Sequence, residues 1–111
     1  MTWYESSSDE SNTQRGGSVY IVTNQRRTTL YVGVTSDLPR RPWQHKTKYY
    51  PRSFTARYHC DCLVYHEAYP AITEAIAREK QLKAGARKKK IAIIHRMNPE
   101  WRDLYDDIKH D

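Results

Sequence analysis

The sequence predicts an α+β domain in which helices pack on a small three-stranded sheet. Two short runs rich in β-branched and aromatic residues lie close together near the start, a third follows residue 61, and helical periodicity begins at residue 71. The predicted order is β-β-α-β-α-α-α, with an antiparallel or mixed sheet. We expect residues 18–108 to form this domain. Residues 1–17 are polar and end in two glycines, which predicts a disordered arm.

The first two strands are predicted to form a hairpin. Residues 18–23 have the sequence SVYIVT and residues 29–34 have TLYVGV, with a polar stretch between them. A hairpin symmetric about the Gln25–Arg26 bond places Tyr20 directly opposite Tyr31, and opposed residues point to the same face of the sheet. We therefore expect two tyrosines side by side, which either carry chemistry or fill a core face.

A short helix is predicted after the hairpin. Asp37 is suited to cap it, Pro39 is suited to its first turn, and the helix continues to about Lys46. Pro42 lacks an N–H and clashes with the preceding helical turn, so the helix either begins later or is distorted there. An aromatic loop with a helical turn near residues 54–58 follows, and residues 62–69 are predicted as the third strand.

The clearest helix runs from Ala71 to about Lys83, and Gly85 ends it. Glu79 falls on its apolar face, which is formed by Ile72, Ala75, Ile76 and Leu82. A carboxylate on an inward face is unfavourable unless it is paired or bound to a metal, so Glu79 is a candidate metal ligand. Pairing with an arginine or a tyrosine is the alternative.

Two further helices are predicted at residues 87–96 and 100–108. The first is apolar at Ile91, Ile93 and Ile94, and the second has inward-facing residues at Trp101, Leu104 and Tyr105.

The charge balance favours a polyanionic partner. Nineteen Lys and Arg against thirteen Asp and Glu give a net charge of +6. Such a surface concentrates nucleic acid, although an ordinary basic surface is the alternative. No apolar run approaches the ~20 residues that span a bilayer, and the first 17 residues lack signal-peptide features. We expect a cytoplasmic protein without membrane contact.

The cysteines do not predict a disulfide or a zinc site. Cys60 and Cys62 are too close for an ordinary disulfide, and cytosolic thiols stay reduced. With His59 and His66 nearby, zinc is conceivable, but the second separated ligand pair of a structural zinc site is missing.

Four motifs in order resemble the GIY-YIG nuclease superfamily, in particular its small bacterial stand-alone members. Val19-Tyr20-Ile21 and Tyr31-Val32-Gly33 are similar to its paired motif, TSDLPRRPWQHK at 35–46 to its arginine-bearing helix, and AREKQLK at 77–83 to its glutamate helix. NPEWRDLY at 98–105 is similar to the end of the bacterial members, and Ser18 stands where the first motif has its glycine. The resemblance covers residues 17–105.

The resemblance implies hydrolysis of DNA phosphodiester bonds with one divalent metal, Mg²⁺ or Mn²⁺, and no organic cofactor. It implies catalytic roles for Tyr20, Tyr31, Arg41, His45 and Glu79, with Glu79 as the metal ligand. The reaction needs a base for water, a cation for the phosphate and a metal for the leaving oxygen. A phenol with a pKa of about 10 is a poor base unless nearby cations favour its ionised form. The sequence does not say which tyrosine is the base.

The implied roles have alternatives in the residues themselves. Arg41 would hold the phosphate, whereas the adjacent Arg40 is predicted to be exposed. His45 shares the helix face of Arg41 and would orient a tyrosine or move a proton, but a surface histidine fits equally. Gly33 matches a position of close backbone approach. Asn98 either closes the site or only ends a helix.

Basic residues around these motifs are candidates for phosphate contacts that do not depend on base sequence. They are Arg26, Arg27, Arg40, Lys46, Arg52, Lys88 and Lys89. A solvated helix face explains the lysine run equally well. Aromatic and basic residues alternate at 49–57, a mix that either stacks unpaired bases or pins the loop to the core.

The functional hypothesis from the sequence is therefore a DNA endonuclease of low sequence specificity that favours branched or single-stranded DNA. A catalytically weak nucleic-acid-binding domain and a small protein-interaction domain that uses the aromatic loop are the alternatives. The sequence does not predict an oligomeric state.

Overall fold

The computed structural model describes residues 16–108. Its elements are β1 (Gly17–Thr23), β2 (Leu30–Thr35), α1 (Arg40–Lys46), α2 (Phe54–Arg57), β3 (Cys62–Tyr69), α3 (Ile72–Ala84), α4 (Arg87–Met97) and α5 (Tyr105–Ile108). The predicted α+β class is confirmed, and the sheet is antiparallel throughout in the order β2-β1-β3. Within residues 16–108, no helix is long and apolar enough to cross a membrane.

Most of the predicted N-terminal arm, residues 1–15, lies outside the described residues. Its last residue, Gly17, instead opens β1 and pairs with Tyr69 of β3. The domain therefore begins slightly earlier than the strand pattern predicts.

The predicted register of the hairpin is wrong. Tyr20 lies opposite Gly33, and Tyr31 lies opposite Val22, because the hairpin is centred one residue later than a symmetric turn at Gln25–Arg26 would place it. The turn itself explains the shift: Asn24 O accepts a hydrogen bond from Arg27 N at 2.9 Å, and Arg27 adopts a φ of 62°. A shift of this kind keeps the two tyrosines on one face, because strand residues two apart point the same way.

Gly33 is required by this register. A Cβ atom built on Gly33 would overlap the ring and hydroxyl of Tyr20, which lies across the glycine. The close approach predicted at this position is therefore present, and the group that approaches is a tyrosine ring.

We expect Gly33→Ala to destabilise the domain by about 1–3 kcal/mol, since a fully buried ring must move to admit the methyl group. Chemical denaturation measures this loss. Gly85→Ala is the matched control, because its Cβ would meet only ordinary contacts of 3.5 Å or more at a φ of −78°. Equal stability losses for the two variants would contradict the assigned packing of Tyr20.

The central strand β1 is buried on both faces. Val19 and Ile21 pack in one cluster with residues of α3 and α4, such as Ala75 and Ile94. Tyr20 and Val22 belong to a second cluster on the opposite face, with Tyr31, Cys60, Leu63 and Leu104. Both phenols therefore lie on the face away from the main apolar core.

Pro42 fits the first turn of α1 without breaking it. The helix begins at Arg40, whose backbone N donates a hydrogen bond to Asp37 Oδ1 at 3.3 Å. Pro42 is then the third helical residue, where a backbone N–H has no partner within the helix in any case. Of the two expectations for Pro42, the later start of the helix is the one observed.

The predicted last helix is too long. Only Tyr105–Ile108 is helical, because Leu104 N donates to Leu63 O at 2.8 Å and Leu63 N donates to Asp103 Oδ1 at 3.2 Å. These bonds hold the segment against the edge of β3. Trp101 and Leu104 are buried as predicted, while Tyr105 is half-buried.

Candidate active site

Tyr20 is the first member of a buried chain of hydrogen bonds. Its hydroxyl lies 3.0 Å from His45 Nε2, and His45 Nδ1 lies 2.7 Å from Thr55 Oγ1. Thr55 Oγ1 is 3.2 Å from Ser53 Oγ, which is only half-buried. In the His45 tautomer protonated at Nδ1, the ring accepts from Tyr20 and donates to Thr55. The chain therefore connects a phenol in the core to the protein surface.

His45 is buried, which excludes the surface-histidine alternative. Burial lowers its pKa to about 3, and the positive charge of Arg41 acts in the same direction. The imidazole is therefore neutral at physiological pH and available as a hydrogen-bond acceptor for Tyr20.

We expect the His45 ring to remain neutral between pH 8 and pH 5, which NMR of its ring nitrogens measures directly. Because the pKa in the unfolded chain is near 6.5, only the unfolded state takes up this proton as the pH falls through that value. The free energy of unfolding should then decrease from pH 6.5 towards pH 3, and His45→Gln should reduce that decrease. A ring that titrates near pH 6.5 in the folded protein would contradict this environment.

Tyr31 and Arg41 line a cavity beside the hydrogen bonds that link Tyr20, His45 and Thr55. Arg41 is 4% exposed, its positive charge acts on the Tyr31 hydroxyl, and Nη1 donates to Gln44 Oε1 at 2.6 Å. His45, Ser53 and Thr55 also line the cavity, together with Tyr50 and Phe54. A buried arginine at a cavity wall suits a phosphate, because its planar fork donates two parallel hydrogen bonds to an anion.

The pKa of Tyr31 is raised well above its usual range. Burial is the largest cause, followed by the charge of Tyr20; Arg41 opposes the shift and Glu79 adds to it. Tyr31 therefore holds its proton at neutral pH and acts as a hydrogen-bond donor in the resting protein.

Glu79 is fully buried on the inward face of α3, as predicted. Its Oε2 lies 2.8 Å from Lys83 Nζ, and its Oε1 has no hydrogen-bond partner among the described residues. The Lys83 ammonium also lies 5.4 Å from the centroid of the Tyr31 ring. Glu79 is thus close enough to Tyr31 to act on it electrostatically, and its ion-pair partner is a lysine rather than the arginine or tyrosine considered from the sequence.

Of the residues predicted to contact phosphates, some are exposed and others already bond to protein groups. Arg40 is exposed, in contrast to the buried Arg41. Arg26, Arg52, Lys88 and Lys89 are likewise exposed on the hairpin tip, the loop before α2 and α4.

Two of the predicted phosphate contacts, Arg27 and Lys46, already have protein partners. Arg27 donates to Glu100 O at 3.1 Å, and Lys46 pairs with Asp103 and donates to Asp61 O at 2.9 Å. They tie the hairpin and α1 to neighbouring segments, so binding of a phosphate would require them to share or exchange these contacts.

Asn98 has a structural role. Its amide nitrogen donates to Val64 O at 3.2 Å and to Arg102 O at 2.8 Å, and its Oδ1 accepts from Arg102 N. These bonds fasten the end of α4 to β3, and each of them is made to backbone groups outside the cavity.

Several residues of the site were not predicted from the sequence. Gln44 and Lys83 were detectable, because they lie three and four residues from Arg41 and Glu79 on the same helices. Thr55 and Ser53 carry no such signal, since only the packing of α2 against α1 brings them to His45.

Tyr31, Arg41 and His45 line one cavity, Tyr20 lies behind them in contact with His45, and Glu79 acts electrostatically on Tyr31. The sequence profile of the GIY-YIG catalytic domain matches residues 16–92. The chain belongs to this family.

The structure also resembles a solved protein. A UPF0213 protein from Bacillus halodurans, determined by solution NMR, aligns over 86% of this chain and 99% of its own with 23% identity and a TM-score of 0.49. No curated protein matches the chain.

Proposed function

We propose that this protein is a divalent-metal-dependent DNA endonuclease of low sequence specificity. The observation that supports this best is that Tyr31, which lines the cavity with Arg41, interacts electrostatically both with Arg41 and with the fully buried Glu79. A cation fork, a phenol and a carboxylate are the groups that phosphodiester hydrolysis requires around one phosphate.

The donor set fits one hard divalent cation. Glu79 Oε1 is a buried carboxylate oxygen without a hydrogen bond, which is unfavourable in the absence of a cation. Residues 16–108 hold no cluster of three or more His, Cys, Asp or Glu side chains suited to a metal. Glu79 would therefore be the protein ligand, with water and phosphate oxygens completing the shell, as Mg²⁺ prefers. Such an ion, when bound, neutralises charge on the phosphate and the leaving oxygen.

The proton path leads through Tyr20. A phenol acts as a base only if its own proton has an acceptor, and His45 Nε2 is 3.0 Å from the Tyr20 hydroxyl. A phosphate held by Arg41 would offset the second cause of the low His45 pKa, so His45 would accept a proton more readily with DNA bound. Tyr31, which keeps its proton, would donate a hydrogen bond to the water or the phosphate.

Low sequence specificity follows from the type of contact available. The exposed candidate contacts are lysines and arginines, namely Arg26, Arg40, Arg52, Lys88 and Lys89. Such side chains fix the position of a phosphate backbone and do not by themselves distinguish bases.

Cleavage of supercoiled plasmid and of labelled branched, single-stranded and duplex oligonucleotides tests the proposal. We expect nicking with Mg²⁺ or Mn²⁺ and none with a chelator. DNA retention without cleavage under any divalent cation would refute the proposal and favour the nucleic-acid-binding alternative.

A further inference from the structure

Five large aromatic side chains are exposed beside the cavity. We call them the aromatic platform: Trp43 is 44% exposed, Tyr49 52%, Tyr50 44%, Phe54 39% and Tyr58 45%. Phe54 also stacks on the buried Tyr31, so base stacking and pinning of the loop to the core, the two sequence-based interpretations of residues 49–57, both stay open for this ring. A contiguous exposed apolar surface on a small domain indicates a binding site.

The platform is continuous with the candidate active site. Phe54 stacks on Tyr31 at 5.8 Å between ring centroids, with Tyr58 a further 4.7 Å beyond it. Tyr50 lines the cavity together with Arg41 and contacts Tyr49 at 4.9 Å, and Tyr49 lies 5.8 Å from Trp43. Two rows of rings therefore lead outward from the place where a phosphate would bind.

The segment that carries the platform has charges of one sign. Residues 38–60 contain no Asp or Glu, and they include Arg40, Arg41, Lys46, Lys48, Arg52 and Arg57. Arg52 and Arg57 are exposed, and the Arg57 guanidinium lies 5.9 Å from the centre of the Tyr58 ring. Exposed aromatic rings interleaved with cations complement a strand of nucleotides, whose bases stack and whose phosphates are anionic.

We propose that the aromatic platform binds the unpaired nucleobases of single-stranded DNA that flank the phosphate in the cavity. In a duplex, each base already stacks on its neighbours and is paired, so its face is not available to a protein ring. The platform thereby selects single strands, or the unpaired arm of a branched molecule. This proposal rests on the proposed function in so far as it assigns the cavity to a DNA phosphate.

Binding without metal tests the platform separately from cleavage. We would measure the affinity of the full chain for fluorescently labelled oligothymidylate and for a duplex of equal length, in chelator at fixed salt. Tyr49→Ala/Tyr58→Ala removes two platform rings that do not line the cavity. We expect preference for the single strand, and a loss of about fivefold or more for each ring removed. Duplex affinity should change less than twofold.

Two further variants control for folding and for nonspecific hydrophobic binding. Met97→Ala removes an apolar side chain that is 44% exposed on α4, and should leave both affinities unchanged. Tyr49→Leu/Tyr58→Leu keeps apolar surface but removes the ring faces, and should resemble the alanine variant. Thermal melting checks that each variant is folded.

Unchanged single-strand affinity in both double variants, or equal losses for single strand and duplex, would overturn the platform proposal. Unchanged single-strand affinity would instead favour a protein as the partner of the exposed rings. A chain that shows the single-strand preference in chelator but no cleavage with Mn²⁺ would retain the platform and refute the nuclease. Cleavage without the single-strand preference would support the nuclease and refute the platform. The failure of one proposal can therefore be told apart from the failure of the other.

Discussion

Glu79→Gln should abolish DNA cleavage while leaving the protein at least as stable as the unchanged chain. The substitution keeps the size of the side chain and removes its charge. Because Glu79 is fully buried and its Oε1 has no hydrogen-bond partner, the charge is unfavourable for folding. Removing one partner of a buried ion pair is strongly destabilising where the remaining charge stays buried, so the outcome depends on Lys83. Lys83 is 23% exposed and can turn its ammonium to water.

The expected loss of activity is large. A metal ligand contributes several kcal/mol of transition-state stabilisation, and each 1.36 kcal/mol is a factor of ten in rate, so we expect at least about a thousandfold decrease. The measurements are single-turnover cleavage with Mn²⁺ and chemical denaturation of the same preparation. Loss of metal binding is checked independently, by Mn²⁺ titration followed by electron paramagnetic resonance.

Glu67→Gln is the matched control. Glu67 accepts hydrogen bonds from Tyr69 at 2.6 Å and from Arg78 Nε at 3.1 Å, and it also bonds to the Tyr65 hydroxyl. Its replacement should lower stability by about 1 kcal/mol and leave cleavage unchanged. If instead Glu79→Gln destabilised the fold and still cleaved DNA, Glu79 would be a structural residue and the proposed mechanism would fail.

Glu79 was identifiable from the sequence because its charge conflicts with the apolar face on which it lies. A helical apolar stripe that contains Ala75, Ile76 and Leu82 but also a carboxylate violates the local rule for a core face. Such violations are expected where function requires them. The period of 3.6 residues fixes which side chains share a face, so the inward position of Glu79 needed no tertiary information.

The hairpin register shows where local rules are insufficient. The strands and the shared face of Tyr20 and Tyr31 follow from the alternation of side chains along each strand. The register depends on the turn, where Asn24 Oδ1 accepts hydrogen bonds from Thr28 N and Thr29 N at 2.9 and 3.0 Å. A count of residues between the strands does not contain this information.

The C-terminal segment shows tertiary contacts overriding local pattern. Trp101, Leu104 and Tyr105 have helical spacing, and their burial follows in part from it. However, hydrogen bonds to Leu63 keep the chain out of a helix until Tyr105. The hydrogen bond from His45 to Thr55 is similarly unpredictable, because the two residues meet only when α2 packs against α1.

Arg41→Lys should reduce cleavage by about a thousandfold even though it preserves the positive charge, as phosphoryl-transfer enzymes lose 10³ or more without their arginine. Arg41 donates to Gln44, acts electrostatically on the Tyr31 hydroxyl and lines the cavity. These contacts hold the planar fork against the site. Lysine presents one ammonium and cannot bond to a protein acceptor and two phosphate oxygens in the same plane.

Arg40→Lys separates the role of the guanidinium from that of charge. Arg40 is the adjacent residue on the same short helix, but its side chain is exposed. An exposed cation contributes to DNA attraction mainly as charge, which lysine supplies equally, so cleavage should change less than about threefold at fixed salt. If Arg41→Lys and Arg40→Lys were equally active, the cavity arginine would act only through its charge. The bidentate phosphate clamp assigned to Arg41 would then be wrong, whereas a selective loss in Arg41→Lys places the reacting phosphate at the cavity.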